Sequence, residues 1–198
     1  VRSDPESLLG GEESAWIVAA RGGDRQAFAR VVELYWEPLY RWLFHLTRDQ
    51  HQAEDLTQET FLKALAGLES FRCGSNFRAW LFRIGHNNFV NLKRSRSRGY
   101  QTLPDALSRS GASVAEQAAD REEIARLVAA IAELPTEYRA ALLLRAEGGL
   151  SFREIATILD ITEETARWRV FKARQKLLTR LGVELVPAKA EPEPERLT

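Results

Sequence analysis

The stretch from Leu134 to Leu181 constrains the fold more than any other. It reads as a helix over Thr136–Glu147, a turn at Gly148-Gly149, a short helix over Ser151–Leu159 and a basic helix over Thr162–Leu181. Ser151 with Glu154 three residues on is the pattern of a capping box, which satisfies two orphan amides reciprocally. Thr162 repeats the pattern with Thr165 in the acid's place. Glu163 and Glu164 suit the positive end of the helix that follows. Two capped helices joined by only Asp160-Ile161 form a helix-turn-helix, which places its second helix in the major groove of DNA.

The rest of the chain is read by periodicity. Ala27, Val31, Leu34 and Leu39–Leu43 give one amphipathic helix, with Pro38 as a kink point. Ala53, Leu56, Thr60, Ala64 and Leu68 line one face of a second. Phe77, Leu81, Ile84, Asn88 and Leu92 line the inner face of a third, over Asn76–Ser97. No strand pattern survives. The expected fold is all-α: two small helical domains, a helical bundle and a C-terminal helix-turn-helix, joined by a flexible linker. The expected boundaries are 1–11 disordered, 12–98 first domain, 99–120 linker, 121–183 second domain and 184–198 a flexible Pro/Glu tail.

Composition decides the class of partner. The formal net charge of the 198 residues is zero, but the charge is segregated. From Ser70 to Pro104 there is no acid, against Arg72, Arg78, Arg83, Lys93, Arg94, Arg96 and Arg98. From Thr165 to Val183 there is again none, against Arg167, Arg169, Lys172, Arg174, Lys176 and Arg180. Two acid-free stripes are footprints for phosphate rather than ordinary solvated faces. Cys73 is the lone cysteine, so no intrachain disulfide forms. No apolar run approaches the ~20 residues of a membrane span, and the N-terminal residues lack a signal-peptide pattern. A cytoplasmic protein with no membrane insertion is expected. His45, His51 and His86 are scattered, and no nucleophile or metal-ligand spacing is present. No catalytic residue, metal site or cofactor is therefore expected, and no enzyme activity.

Three surfaces stand out. On the last helix, Ala166, Val170, Ala173 and Leu177 face inward. The opposite face carries Glu164, Trp168, Lys172 and Gln175, flanked by Arg167, Phe171 and Arg174 on one side and Arg169 and Lys176 on the other. Such groups read guanine, cytosine and thymine edges, while Lys172, Arg174 and Lys176 suit phosphates. Upstream, Trp80, Arg83, Asn87 and Arg94 share a stripe with His86 beside it. A Trp and amides amid Arg suit single-stranded DNA, and the adjoining loop Phe71–Asn76, with Arg72 and Ser75, is placed to hold a flipped base. Trp80 as half-buried core is the plain alternative. The helix His51–Leu68 exposes Asp55, Gln58, Glu59 and Leu62, and Leu62 suggests a partner helix.

These residues carry a resemblance. AEDLTQETFLKAL followed by FRAWLFRIGHNNFVNLKRSRSR resembles the polymerase-binding and promoter-melting segments of bacterial sigma factors. LSFREIATILDITEETARWRVFKARQKL resembles their upstream-promoter-reading segment. The two-domain layout is similar to the extracytoplasmic-function (ECF) group of the sigma-70 family, over residues 12–98 and 121–182. The resemblance implies binding of core RNA polymerase through Asp55, Gln58, Glu59 and Phe61, though Phe61 is core by its position. It implies melting and reading of the minus-10 element by Trp80, Arg83 and Asn87, with Phe71–Asn76 capturing a base. It implies minus-35 reading by Arg167, Trp168, Arg169 and Lys172, a linker threading towards the polymerase active site, and an anti-sigma factor as a further partner. The chain departs from many relatives at His86-Asn87, Asn91, Glu164-Thr165-Ala166 and Arg167-Trp168-Arg169. Glu164 and Trp168 lie on the reading face, so the resemblance does not carry the promoter sequence over. The competing reading is a helix-turn-helix regulator that binds duplex DNA without joining a polymerase.

Overall fold

The computed structural model describes residues 5–72, 74–98 and 118–182. The elements are α1 (Pro5–Arg21), α2 (Arg25–Thr47), α3 (Gln50–Gly67), a 3-10 turn (Leu68–Ser70), α4 (Phe77–Arg98), α5 (Ala118–Ala132), α6 (Thr136–Ala146), α7 (Phe152–Leu159) and α8 (Glu163–Leu181). There is no strand among the described residues, so the all-α expectation holds.

Local chemistry sets the helix starts. The Asp24 carboxylate accepts from the Gln26 and Ala27 amides at 2.8 and 3.1 Å and opens α2. Asp49 does the same for α3 through the Gln52 amide. Arg48, at a left-handed φ of 58°, turns the chain between them. Ser151 and Glu154 close the expected capping box on α7, and the Thr162 hydroxyl accepts from the Thr165 amide to open α8. Pro38 sits inside α2 without ending it.

Helices α2, α3 and α4 pack around Leu39, Trp42, Leu43, Ala53, Leu81 and the other buried side chains of these faces. They approach closely at Gly85, where a β-carbon would stand 3.2 Å from a Leu39 methyl and 3.5 Å from the Thr60 hydroxyl. One turn on, buried Asn88 donates to that hydroxyl at 3.1 Å and accepts from Lys63 at 2.6 Å. A mid-helix Asn is unfavourable by propensity. Here it fixes the register of α4 on α3, since a one-turn slip would leave its amide buried and unpaired.

The second body packs α8 on α6 and α7. Ala166, Val170, Ala173 and Leu177 are buried against them, as the periodicity requires. Buried Arg139 donates to the carbonyls of Ala132 and Leu134, which closes the end of α5.

The two domains are docked in this structure: α4 packs on α7, and α2 on α6. This explains why Phe82 and Phe89, off the inner face of α4, are buried while Ile84 and Leu92 are only half-buried. Helix α1 starts inside the stretch 1–11 expected to be disordered, with Pro5 at its first position, where its missing N–H costs nothing. Helix α5 likewise begins within the expected linker, on Ala118-Ala119. The rest of the linker, Cys73 and the tail lie outside the described residues.

Candidate nucleic-acid interface

On α8, Glu164, Arg167, Trp168, Phe171 and Arg174 are exposed along one broad face, with Trp168 at 49% and Phe171 at 54%. Exposed aromatics amid cations are costly in water unless they meet a partner. The Trp168 ring stands edge-on to Tyr138 of α6 at 5.6 Å. Arg167 is pre-positioned twice over: it pairs with Glu163 at 3.2 Å and lies 4.9 Å above the Phe152 ring. Phe152, which also carries Arg145 on its ring at 5.1 Å, escaped the sequence reading. Its place directly after the Ser151 cap was the available signal.

Three of the expected minus-35 residues differ in character. Arg169 is only 20% exposed and pairs with Glu137 of α6 at 3.4 Å, so it braces α8. The Thr165 hydroxyl lies 2.8 Å from that of Thr162 and serves the cap. Lys172 is half-buried and donates to Gln175 at 3.2 Å.

On α4, Arg83, Asn87 and Arg94 are exposed on one stripe. Trp80 is half-buried, its ring 5.2 Å from Phe71 and 5.4 Å from Phe77. Its ring packs with these two in an aromatic trio and stays partly accessible. Phe71 itself is buried at 4%. It is a floor of the loop rather than a group on its rim, because Phe77 packs edge-on to it at 5.2 Å. Arg72, Ser75 and Asn76 are exposed. The Asn76 side-chain oxygen accepts from the Ala79 amide at 3.0 Å and so caps α4.

His86 does not lie on the free stripe. It is half-buried at the seam, 6.3 Å from the Trp42 ring. Burial holds its pKa below the ordinary value, Arg169 pushes the same way, and Asp160 opposes them. Arg78, which the sequence reading counted only as a charge, donates to the carbonyl of Glu147 at 3.2 Å, where α6 ends and its carbonyls are unpaired.

On α3, Asp55, Gln58, Glu59 and Leu62 are all exposed, Leu62 at 69%. Glu59 pairs with Lys63 at 2.6 Å. Phe61 is buried and stacks on Trp36 at 5.9 Å, as its position in the pattern requires. No group of three or more His, Cys, Asp or Glu fit to hold a metal occurs among the described residues, and no described helix is long and apolar enough to cross a membrane.

The arrangement thus presents a cation-and-aromatic face on α8 and a second one on α4. The first suits a groove and the second suits unstacked bases. Comparison with known proteins points the same way. Residues 31–99 match Sigma-70 region 2, and residues 124–177 match Sigma-70, region 4. The chain is 31% identical to the ECF RNA polymerase sigma factor SigM of Bacillus subtilis, over 74% of this chain and 90% of that one. It is 35% identical to the ECF RNA polymerase sigma factor SigE of Mycolicibacterium smegmatis over 78% of its length, and spans 63% of that longer protein. The sigma factor RpoE of Bartonella quintana, solved with the anti-sigma factor NepR, superposes with a TM-score of 0.69 at 28% identity, over 80% of this chain and 98% of that one. With both sigma-70 regions in order on one helical chain, this protein belongs to the ECF group of sigma-70 factors, the subunits with which bacterial RNA polymerase recognises promoters.

Proposed function

We propose that the chain directs core RNA polymerase to a two-part promoter through three separate faces. The outward face of α8, led by Glu164, Arg167 and Trp168, reads the minus-35 duplex, with Lys172 and Arg174 on phosphates. The stripe Trp80, Arg83, Asn87 and Arg94, with the Phe71–Asn76 loop, opens and reads the minus-10 strand. The α3 face of Asp55, Gln58, Glu59 and Leu62 meets the polymerase clamp. On this reading, residues 12–98 and 121–183 are the working domains, and the linker 99–120 threads towards the polymerase active site.

The observation that carries the proposal is a pair of cation-and-aromatic faces on different bodies, with exposed Trp168 and Phe171 on one and half-buried Trp80 beside exposed arginines on the other. A duplex-binding regulator needs only the one on α8, and has no use for the exposed acidic face of α3. The chain contributes recognition and strand opening, while bond formation stays with the polymerase. It therefore works in the cytoplasm and is no enzyme in its own right. An anti-sigma factor as its regulator is supported by the solved complex of RpoE with NepR.

Run-off transcription tests the reading. Purified chain and core polymerase are supplied with genomic fragments, starting with the chain's own upstream region. Discrete transcripts that need both proteins are expected. A chain that shifts duplex DNA but never binds core is a regulator, and the proposal fails.

A further inference from the structure

A cleft of about 410 Å³ opens between α1 and the loop that precedes α4. Its lining includes Glu13, Ile17 and Val18 on one wall and Phe71, Ser75 and Phe77 on the other. The volume is many times the ~30 Å³ share of one water molecule, and the buried Phe71 and Phe77 lie beneath a largely polar lining.

Glu13 is out of keeping with its surroundings. No acid occurs from Ser70 to Pro104, so the loop and α4 present no carboxylate of their own to a nucleic-acid strand. Helix α1 inserts one into this wall. Glu13 and Ile17 are four residues apart and share a helix face. Ile17 is buried, which aims Glu13 at the same seam. The carboxylate is held there: the buried Tyr35 hydroxyl donates to its Oε1 at 2.7 Å. Burial, and then the Glu13 carboxylate itself, keep the Tyr35 proton in place, so the phenol remains a donor. Tyr35 takes up one lone pair of the carboxylate, and Glu13 lines the cleft, so an ionised carboxylate, with about four acceptor sites, keeps acceptor capacity there.

A fixed anion beside a polyanion repels it unless it accepts a hydrogen bond. The groups on a nucleic acid that can satisfy a carboxylate are base N–H donors, as when Glu or Asp accepts from cytosine N4. We propose that Glu13 is a specificity-determining residue of the melted strand: the cleft receives one extruded base, and the Glu13 carboxylate selects a base with an exocyclic amine and rejects thymine. Cytosine, adenine and guanine each offer an amine on the Watson–Crick edge. Thymine offers two carbonyl oxygens around a single imino N–H, and these oppose the carboxylate. Arg72, exposed on the same loop, is placed for the adjoining phosphate. This inference rests on the reading of α4 and its loop as the minus-10 surface, and it adds a reader from a different helix.

The test is competitive transcription by the full chain with core polymerase, on a promoter library randomised across the minus-10 non-template strand. The wild type is expected to disfavour thymine about tenfold at one position, the equivalent of a single discriminating hydrogen bond. Glu13→Gln presents an amide N–H₂ that pairs with a thymine carbonyl, so the bias at that position should vanish or reverse, with other positions unchanged. Glu13→Ala should abolish the bias without reversing it. The readout is the ratio among transcripts, so a partly destabilised variant still reports. A wild type that accepts thymine at every position overturns the inference even if no variant folds. An identical profile for wild type and Glu13→Gln also overturns it. Absence of any core-dependent transcript defeats instead the sigma-subunit reading on which it stands.

Discussion

Asn76 and Glu154 lie 78 residues apart, and their side chains meet at 2.6 Å, the amide of Asn76 donating to the carboxylate. Each has a second duty. Asn76 caps α4 through the Ala79 amide, and Glu154 completes the Ser151 capping box through the Ser151 amide at 2.8 Å. One hydrogen bond thus joins the N-termini of the two helices that face each other across the domain seam. Asn76 also borders the cleft lined by Glu13, and in this docked form its amide is engaged within the protein.

A double-mutant cycle on Asn76→Ala and Glu154→Ala should give a coupling of about 1 kcal/mol in urea denaturation. Glu154→Ala alone should also lose about 1 kcal/mol for its cap. Burial would raise the Glu154 pKa, but the Ser151 amide and hydroxyl and the Asn76 amide together hold it below the usual carboxylate value. A depressed carboxylate contributes stability above its unfolded pKa and loses it as pH falls through the folded one. The wild type should therefore weaken on the acid side of the ordinary carboxylate range, and Glu154→Gln should weaken less. Zero coupling in the cycle would mean that the bond contributes nothing in solution.

Acidification should loosen the seam at a higher pH as well. His86 faces Arg169 and Asp160 from the second domain, and His45 faces Glu147, Arg139 and Arg41. Burial is the main cause holding both below the ordinary histidine pKa. The separated or unfolded state therefore binds protons first, and docking free energy falls as pH drops below about 6.5. Small-angle scattering should show the radius of gyration rising between about pH 7 and pH 5. His86→Gln should blunt that rise. An unchanged radius across the window would count against neutral histidines at the seam.

The clamp face is tested by charge reversal. Asp55→Arg with Gln58→Arg should lower affinity for core polymerase more than about tenfold, since like charges facing each other across an interface cost several kcal/mol. Duplex DNA binding should be unaffected. Asp55 and Gln58 are exposed, so thermal unfolding should shift little. Glu59 is a poorer choice, because its partner Lys63 also holds Asn88. Unchanged core affinity would remove this face from the assignment.

On the proposed reading, helix α8 separates readers from anchors. Arg174→Ala should weaken binding to all duplexes alike and reduce the salt slope by about one. Trp168→Ala should instead alter preference within the minus-35 element, at about 1–3 kcal/mol for the affected base pair. Both are read from fluorescence anisotropy over a salt series. If Trp168→Ala changes only the overall affinity, reading passes to Arg167 and Glu164.

Much of this was legible in the residues. Helix bounds follow from caps and periodicity: Ser151–Glu154 and Thr162 mark α7 and α8 within a residue, and the inner face of α8 is as spaced. What escaped was contact between distant elements. Periodicity says which side of a helix is apolar, but not that α4 has two apolar neighbours, so Phe82 and Phe89 were unplaced and His86 was set beside the DNA stripe instead of at the seam. Phe71 read as a loop residue, and its burial depends on Phe77 and Trp80 closing over it. Glu13 carried no signal at all. An acid on an N-terminal helix acquires meaning only when Tyr35 and the loop before α4 are brought beside it.

Trp42 joins these observations. Its ring lies in the core of the first domain, while its indole N–H donates to the Ala140 carbonyl of the second at 3.4 Å. When the bodies part, that N–H exchanges a carbonyl for water while the ring keeps its hydrophobic bed. The protein therefore carries an optical gauge at its seam: replacing Trp16, Trp36, Trp80 and Trp168 with Phe would leave one tryptophan whose emission colour reports whether that contact is made.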